Sequence, residues 1–88
     1  MCSLRILTVD DHEFVRSALS VLLAKRPEWL ICSEASDGVD GLQRARNLHP
    51  NLVLMDVSMP RMNGLDASRA VRNDLPDARV ILVRYRKA

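Results

Sequence analysis

Four short apolar runs alternate with three amphipathic segments along this chain, and the alternation limits the folds that it can adopt. The runs are typical of β-strands, and the segments between them have the apolar spacing of α-helices. Strands that alternate with helices through short connections are parallel and are joined by right-handed crossovers, so we predict an α/β sheet with helices on both faces. The predicted strands are 4–9, 29–35, 52–57 and 79–83, and the predicted helices are 13–25, 39–48 and 64–75.

The third apolar run ends in a carboxylate. Leu-Val-Leu-Met at 52–55 leads directly into Asp56, and the turn formers Pro60 and Gly64 follow. Such a run indicates a strand buried on both faces, which places Asp56 at its carboxyl end, where open α/β sheets bind ligands. Burying a carboxylate is unfavourable unless it is paired or bound to a metal, so Asp56 requires a partner of that kind.

A second acidic cluster, Asp10 and Asp11, ends the first apolar run. If strands one and three are neighbours, these two carboxylates and Asp56 meet at one end of the sheet. A divalent cation would relieve their repulsion, and oxygen-only ligands in a partly open site suit Mg²⁺ or Mn²⁺. The alternative is that Asp10 or Asp11 only caps the first helix and Asp56 only caps its loop. Two acidic strand ends in one short sheet favour the metal site, and we interpret His12 as a helix-start residue.

Length and composition set limits on the class of protein. The 88 residues fit a single domain, 1–88, with a polar, patternless tail at 84–88. The net charge of +2 depends on Arg84, Arg86 and Lys87; the remainder is near neutral, which argues against direct nucleic-acid binding. The apolar runs are too short to cross a membrane, and no signal-peptide pattern is present. Two cysteines fit a reducing compartment, so we expect a cytoplasmic protein.

Three kinds of chemistry could use an aspartate at a strand end. Nucleotide or flavin binding requires a Gly-rich or Ser/Thr-rich loop after the first strand, whereas this chain has the acidic segment 10–13 there. A phosphatase of the haloacid dehalogenase type requires a second aspartate two residues after Asp56, and Ser58 occupies that position. Phosphorylation of Asp56 itself, beside a divalent cation, is the chemistry that remains.

Three motifs, Val-Asp-Asp-His at 9–12, Asp-Val-Ser-Met-Pro at 56–60 and Met-Asn-Gly at 62–64, occur in this order along the chain. Together they resemble the receiver domain of bacterial two-component response regulators. The Asp-Asp-His opening and the segment 34–38 are most similar to the LuxR/NarL/FixJ-type subfamily. The resemblance implies a flavodoxin-like (CheY-like) open parallel sheet with strand order 2-1-3-4. The resemblance extends from residue 4 to residue 83, and the three motifs keep the order that they have in the family.

The resemblance also implies a role for each of the acidic residues. Asp56 would accept a phosphoryl group from the phosphohistidine of a sensor histidine kinase. Asp10, Asp11 and Asp56 would hold Mg²⁺, and the backbone carbonyl of Ser58 would add a ligand. The chain would then be a phosphoacceptor in a phosphorelay rather than an enzyme, and it would act on transcription only through a partner or a further domain.

The resemblance ends after the fourth strand. The family continues with a helix, a fifth strand and a last helix, and it has a Ser or Thr just after strand four and a Lys after strand five. Here Arg84 and Tyr85 follow strand four, so we expect a truncated β-α-β-α-β-α-β domain with impaired phosphorylation. An exposed strand-four edge predicts a homo-oligomer or a swapped dimer. The alternative function is a non-signalling oligomerisation module that uses only the fold.

Overall fold

Seven elements alternate along the chain in a computed structural model that describes residues 4–57, 59 and 61–84. The strands pair in parallel in the order β2-β1-β3-β4, which confirms the predicted fold class and strand order. The predicted tail falls largely outside the described residues. The elements are β1 (Leu4–Val9), α1 (Glu13–Leu23), β2 (Trp29–Ala35), α2 (Gly38–Leu48), β3 (Leu52–Asp56), α3 (Gly64–Asp74) and β4 (Arg79–Val83).

Helix α1 ends at Leu23, two residues before the predicted end at 25. The backbone N–H groups of Lys25 and Arg26 donate to the carbonyls three residues earlier, at 3.3 and 3.1 Å, so the chain leaves the helix through a tight turn. Pro27 has no N–H to donate to the carbonyl of Leu23, and Arg26 binds that carbonyl instead, which accounts for the early end. Strand β3 and helix α3 each end one residue before their predicted limits.

The core lies between the sheet and the pair of helices α2 and α3. Alternate residues of β1 and β3 point to this side because side chains alternate across a strand. Full burial of one aliphatic side chain contributes about 1.5–3 kcal/mol, so this face fixes the register of β3 and therefore the position of Asp56. The central members of the core are Leu7, Val9, Leu42, Ala45, Val53, Met55, Ala67 and Val71.

The opposite face of the sheet is covered only in part, by α1. None of the 11 residues of α1 is buried, and Phe14 and Leu22 are 84% and 57% exposed. On the strands, Ile81 is 51% exposed and Leu54 is half-buried. The prediction that the third strand is buried on both faces is therefore wrong for this face, because an apolar run does not specify how much of each face a helix covers.

Both edges of the sheet are open within the described part of the chain. Strand β4 is one edge, as the sequence predicts, and β2 is the other. Among the described residues, no helix has both the length and the apolar character that crossing a membrane requires.

Candidate functional site

The carboxyl ends of β1 and β3 bring the three predicted carboxylates together. Val9 of β1 is in register with Met55 of β3, so the residues that follow leave the sheet side by side. Potential ligand atoms of Asp10, Asp11 and Asp56 all lie within 4.8 Å of one another. The prediction that these three carboxylates lie close together is therefore confirmed.

The three carboxylates differ in their access to solvent. Asp10 and Asp56 are each 3% exposed and form the floor of the site, whereas the side chain of Asp11 is 28% exposed at its rim. Two buried carboxylates at this distance are unfavourable unless positive charge or hydrogen bonds compensate them. An all-carboxylate set of oxygens that is open on one side fits a hard divalent cation such as Mg²⁺.

Asp10 is held by its backbone as well as by its side chain. Its N–H donates to the carbonyl of Ala35 at 3.0 Å, and its Oδ1 accepts the N–H of His12 at 2.8 Å. Its carbonyl oxygen accepts a hydrogen bond from Nη1 of Arg16 at 2.5 Å. This bond orders the turn between β1 and α1, but it does not cap the helix, because His12 is the N-cap residue and its N–H precedes the first turn.

His12 stands at the N-cap of α1, as predicted, without a side-chain capping hydrogen bond. Its Nδ1 lies 2.8 Å from Oδ1 of Asp11 and 3.4 Å from Oδ1 of Asp10. The ring is thus close enough to the carboxylates to be a fourth donor of the cluster. Sequence reasoning set this residue aside because a helix-start residue gives no signal about the direction of its side chain.

Gly64 allows α3 to begin against the backbone of Asp56. The N–H of Gly64 donates to the carbonyl of Val57 at 2.9 Å, and the side chain of Asn63 caps the helix by accepting the N–H of Asp66 at 2.9 Å. A Cβ at Gly64 would lie 2.1 Å from the carbonyl oxygen of Asp56, which leaves no room for a side chain. Ser58, whose carbonyl was predicted to be a ligand, and Pro60 lie outside the described residues.

The loop between β3 and α3 is also attached to the start of α2. Nη1 of Arg61 donates to Oδ2 of Asp37 at 3.0 Å, and Asp37 also caps α2 by accepting the N–H of Asp40 at 2.8 Å. A Cβ at Gly38 would lie 2.1 Å from the carbonyl oxygen of Met62, so the two segments are in close backbone contact. Aspartate is a favoured N-cap residue, so the cap at Asp37 is unsurprising, but an isolated arginine carries no signal for its partner.

An apolar groove of about 160 Å³ lies between α1 and the sheet and reaches the carboxylates. Its walls come from the partly covered face of the sheet, so the acidic site borders an apolar surface on this side. The groove is lined by Val9, Asp10, Val15, Leu19, Leu54, Asp56 and Val83.

Known proteins are similar in sequence to this chain over most of its length. The sequence profile described as the response regulator receiver domain matches residues 6–87. Transcriptional regulatory protein LiaR of Bacillus subtilis is 38% identical over 80 residues, which are 91% of this chain and 38% of LiaR. A protein-glutamate methylesterase/protein-glutamine glutaminase of Pyrococcus abyssi is 41% identical over 73 residues, 83% of this chain and 20% of that protein.

Solved structures of similar proteins have the same fold as this chain. A LuxR-family two-component response regulator from Aurantimonas sp. SI85-9A1 superposes with a TM-score of 0.89 at 30% identity. The superposition covers 98% of this chain and 61% of that one. This chain therefore spans only part of the proteins that it matches, from a fifth to about two fifths of the curated relatives named above.

Proposed function

The chain belongs to the response regulator receiver domain family, and on this premise we propose that it accepts a phosphoryl group on Asp56 in two-component signalling. One observation supports the proposal most directly: Asp56 is buried at the carboxyl end of a central strand, with Asp10 and Asp11 within 4.8 Å. The donor would be the phosphohistidine of a sensor histidine kinase. The chain would be an acceptor that is modified once in each signalling cycle, not an enzyme acting on a separate substrate.

In the proposed transfer, a carboxylate oxygen of Asp56 attacks the phosphorus atom of phosphohistidine. The new P–O bond forms as the P–N bond breaks, and the electron pair of that bond returns to the imidazole of the kinase. Asp10 and Asp11 would share with Asp56 the binding of a divalent cation, with the carbonyl of Ser58 as a further proposed ligand. When bound, the cation supplies positive charge that offsets the negative charge on the transferred group.

The residue after β4 bears on how the chain would respond to phosphorylation. Arg84 stands where the family resemblance implies a Ser or Thr that follows the phosphoryl group. A guanidinium cannot replace a small hydroxyl that moves between two positions. We therefore propose that coupling between phosphorylation and the shape of β4 is weakened in this chain.

Phosphorylation of Asp56 can be tested by intact-mass spectrometry after incubation with acetyl phosphate and Mg²⁺. We expect a mass increase of one phosphoryl group in the unmodified chain and in the control Asp77→Asn, an exposed aspartate on the turn before β4. We expect no increase in Asp56→Asn or in the presence of a chelator. An increase that persists in Asp56→Asn would refute the acceptor assignment, and an unmodified chain that gains no mass would favour the oligomerisation module.

We also propose that the chain self-associates through the β4 edge and the partly covered face beside it. Ile81 on β4 and Phe14 and Leu22 on α1 are apolar side chains that are more than half exposed. An open strand edge next to apolar side chains favours pairing with another chain. A second copy of this chain is the partner that the sequence predicts.

Self-association can be measured by sedimentation velocity at micromolar concentration. We expect the unmodified chain to associate and Ile81→Lys to shift the distribution to monomer, because a charge at this position disfavours pairing along the edge. The matched control is Leu65→Lys on α3, since Leu65 is 50% exposed against 51% for Ile81 and projects from an element on the covered face. A stable monomer for the unmodified chain, or equal effects of the two substitutions, would contradict this proposal.

A further inference from the structure

We propose that Arg16 of α1 is a positioning residue that fixes the direction of the Asp10 and Asp11 carboxylates toward a divalent cation. The inference rests on the proposed function, because it assumes that these carboxylates bind the cation. It adds a role for a residue that is not itself a ligand and that the sequence analysis did not single out.

Arg16 connects three elements at the site. Its Nη1 donates to the carbonyl oxygen of Asp10 at 2.5 Å, and its Nε donates to Oε1 of Glu34 on β2 at 3.1 Å. The side chain of Arg16 is 18% exposed and that of Glu34 is 42% exposed, so the bond to Asp10 is partly shielded from solvent and the bond to Glu34 is not. A guanidinium is suited to this task because its donors are held in one plane with fixed directions.

The position of Arg16 in α1 explains how it reaches the site. Side chains on a helix point back toward its N-terminus, and Arg16 is the fourth residue of α1. Its guanidinium therefore returns over the turn that joins β1 to α1. Asp10 and Asp11 both lie in this turn, so a side chain that contacts the turn also contacts the acidic site.

The hydrogen bond to Asp10 acts on two carboxylates at once. The carbonyl of Asp10 belongs to the peptide unit that links Asp10 to Asp11, and the plane of that unit fixes where both residues project. The amide side of Asp10 is already tied to Ala35 of β2, and Oδ1 is tied to the N–H of His12. Arg16 adds the restraint on the carbonyl side, where the chain leaves the strand.

The charge of Arg16 opposes the effect of its geometry, which makes the proposal testable. A positive charge near a cation site lowers the affinity for that cation by Coulomb repulsion, although Glu34 offsets part of it. If charge were the whole effect, removing Arg16 would tighten Mg²⁺ binding. If positioning dominates, removing Arg16 weakens binding, and Arg16→Lys weakens it too because the charge stays and the planar pair of donors is lost.

The test is titration of the full chain with MgCl₂, followed by calorimetry, for the variants Arg16→Met and Arg16→Lys. Loss of a group that orients metal ligands typically lowers affinity about 10- to 100-fold, and we expect about tenfold for Arg16→Met and several-fold for Arg16→Lys. Arg44→Met is the matched control: Arg44 ties α2 to β2 through Ser33 Oγ at 2.8 Å and pairs with Asp40 at 2.9 Å, outside the acidic cluster. We expect its Mg²⁺ affinity to stay unchanged, although it too loses a link between a helix and β2.

Each outcome bears on a different claim. Unchanged affinity in Arg16→Lys, tighter binding in Arg16→Met, or equal losses in Arg16→Met and Arg44→Met would overturn the role of Arg16 while leaving the cation site intact. An unmodified chain that binds no Mg²⁺ would overturn the cation site and the role of Arg16 with it. Circular dichroism and thermal unfolding of each variant separate a loss of affinity from a loss of fold.

Discussion

Replacing Gly64 with alanine is expected to lower the free energy of unfolding by about 2–3 kcal/mol, the upper part of the range of about 1–3 kcal/mol for forcing extra atoms into a packed region. For a domain of this size the midpoint of thermal unfolding should fall by roughly 10–20 °C. The new Cβ would lie 2.1 Å from the carbonyl oxygen of Asp56, and a backbone atom cannot move away as a side chain can. A loss of stability would indicate the clash, because helix propensity alone gives no reason for one: in a helix interior alanine is more favourable than glycine by about 1 kcal/mol.

Asn73→Ala provides the control for Gly64→Ala. Asn73 is exposed on the same helix, so alanine there improves helix propensity without a clash. We expect a small gain in stability in thermal and urea unfolding. If Gly64→Ala were as stable as Asn73→Ala, the close approach of α3 to the backbone of Asp56 would be refuted.

Asp56→Asn is expected to stabilise the chain without a divalent cation and to destabilise it, relative to the unmodified chain, when Mg²⁺ is saturating. Two like charges 4.8 Å apart repel by roughly 3.5 kcal/mol at an effective dielectric constant of about 20, and by more at shorter distances. Neighbouring hydrogen bonds reduce this figure, so we expect a gain of about 1–2 kcal/mol in the absence of metal. At 100 times its dissociation constant, Mg²⁺ should stabilise the unmodified chain by about 2.7 kcal/mol and the variant by much less.

The measurement is urea unfolding of both chains with a chelator and with excess Mg²⁺. The order of stability should reverse between the two conditions. Asp77→Asn, which neutralises an exposed carboxylate away from the cluster, should respond to Mg²⁺ as the unmodified chain does. Equal stabilisation of Asp56→Asn and the unmodified chain by Mg²⁺ would exclude Asp56 as a ligand.

The sequence was sufficient to predict the fold and the meeting of the carboxylates. Strand and helix positions follow from apolar periodicity, and parallel strands joined by short crossovers place all their carboxyl ends at one edge of the sheet. Asp10 and Asp56 each end an apolar run, so their proximity follows once β1 and β3 are neighbours. The alternation of strands and helices follows from the residues alone, whereas the strand order that makes β1 and β3 neighbours was an expectation from the family resemblance, and the structure confirms it.

Other features depend on contacts that a linear pattern does not encode. Phe14 and Leu22 belong to the apolar stripe of α1, yet both are largely exposed, because amphipathic spacing shows which side of a helix is apolar and not how much is covered. Arg16 and Arg61 make specific contacts with the turns at the site. A long flexible arginine can reach several partners, and only the three-dimensional arrangement selects one.

The contact between the β3–α3 loop and the start of α2 limits how this loop can move. Met59 and Met62 pack against the core, and Arg61, with φ of 69°, turns the chain so that its side chain meets Asp37. Met62 is also in close backbone contact with Gly38. A displacement that begins beside Asp56 must therefore carry the first turn of α2 with it or break this ion pair. The loop therefore connects α3 to the start of α2, and a movement beside Asp56 would be transmitted to the first turn of α2.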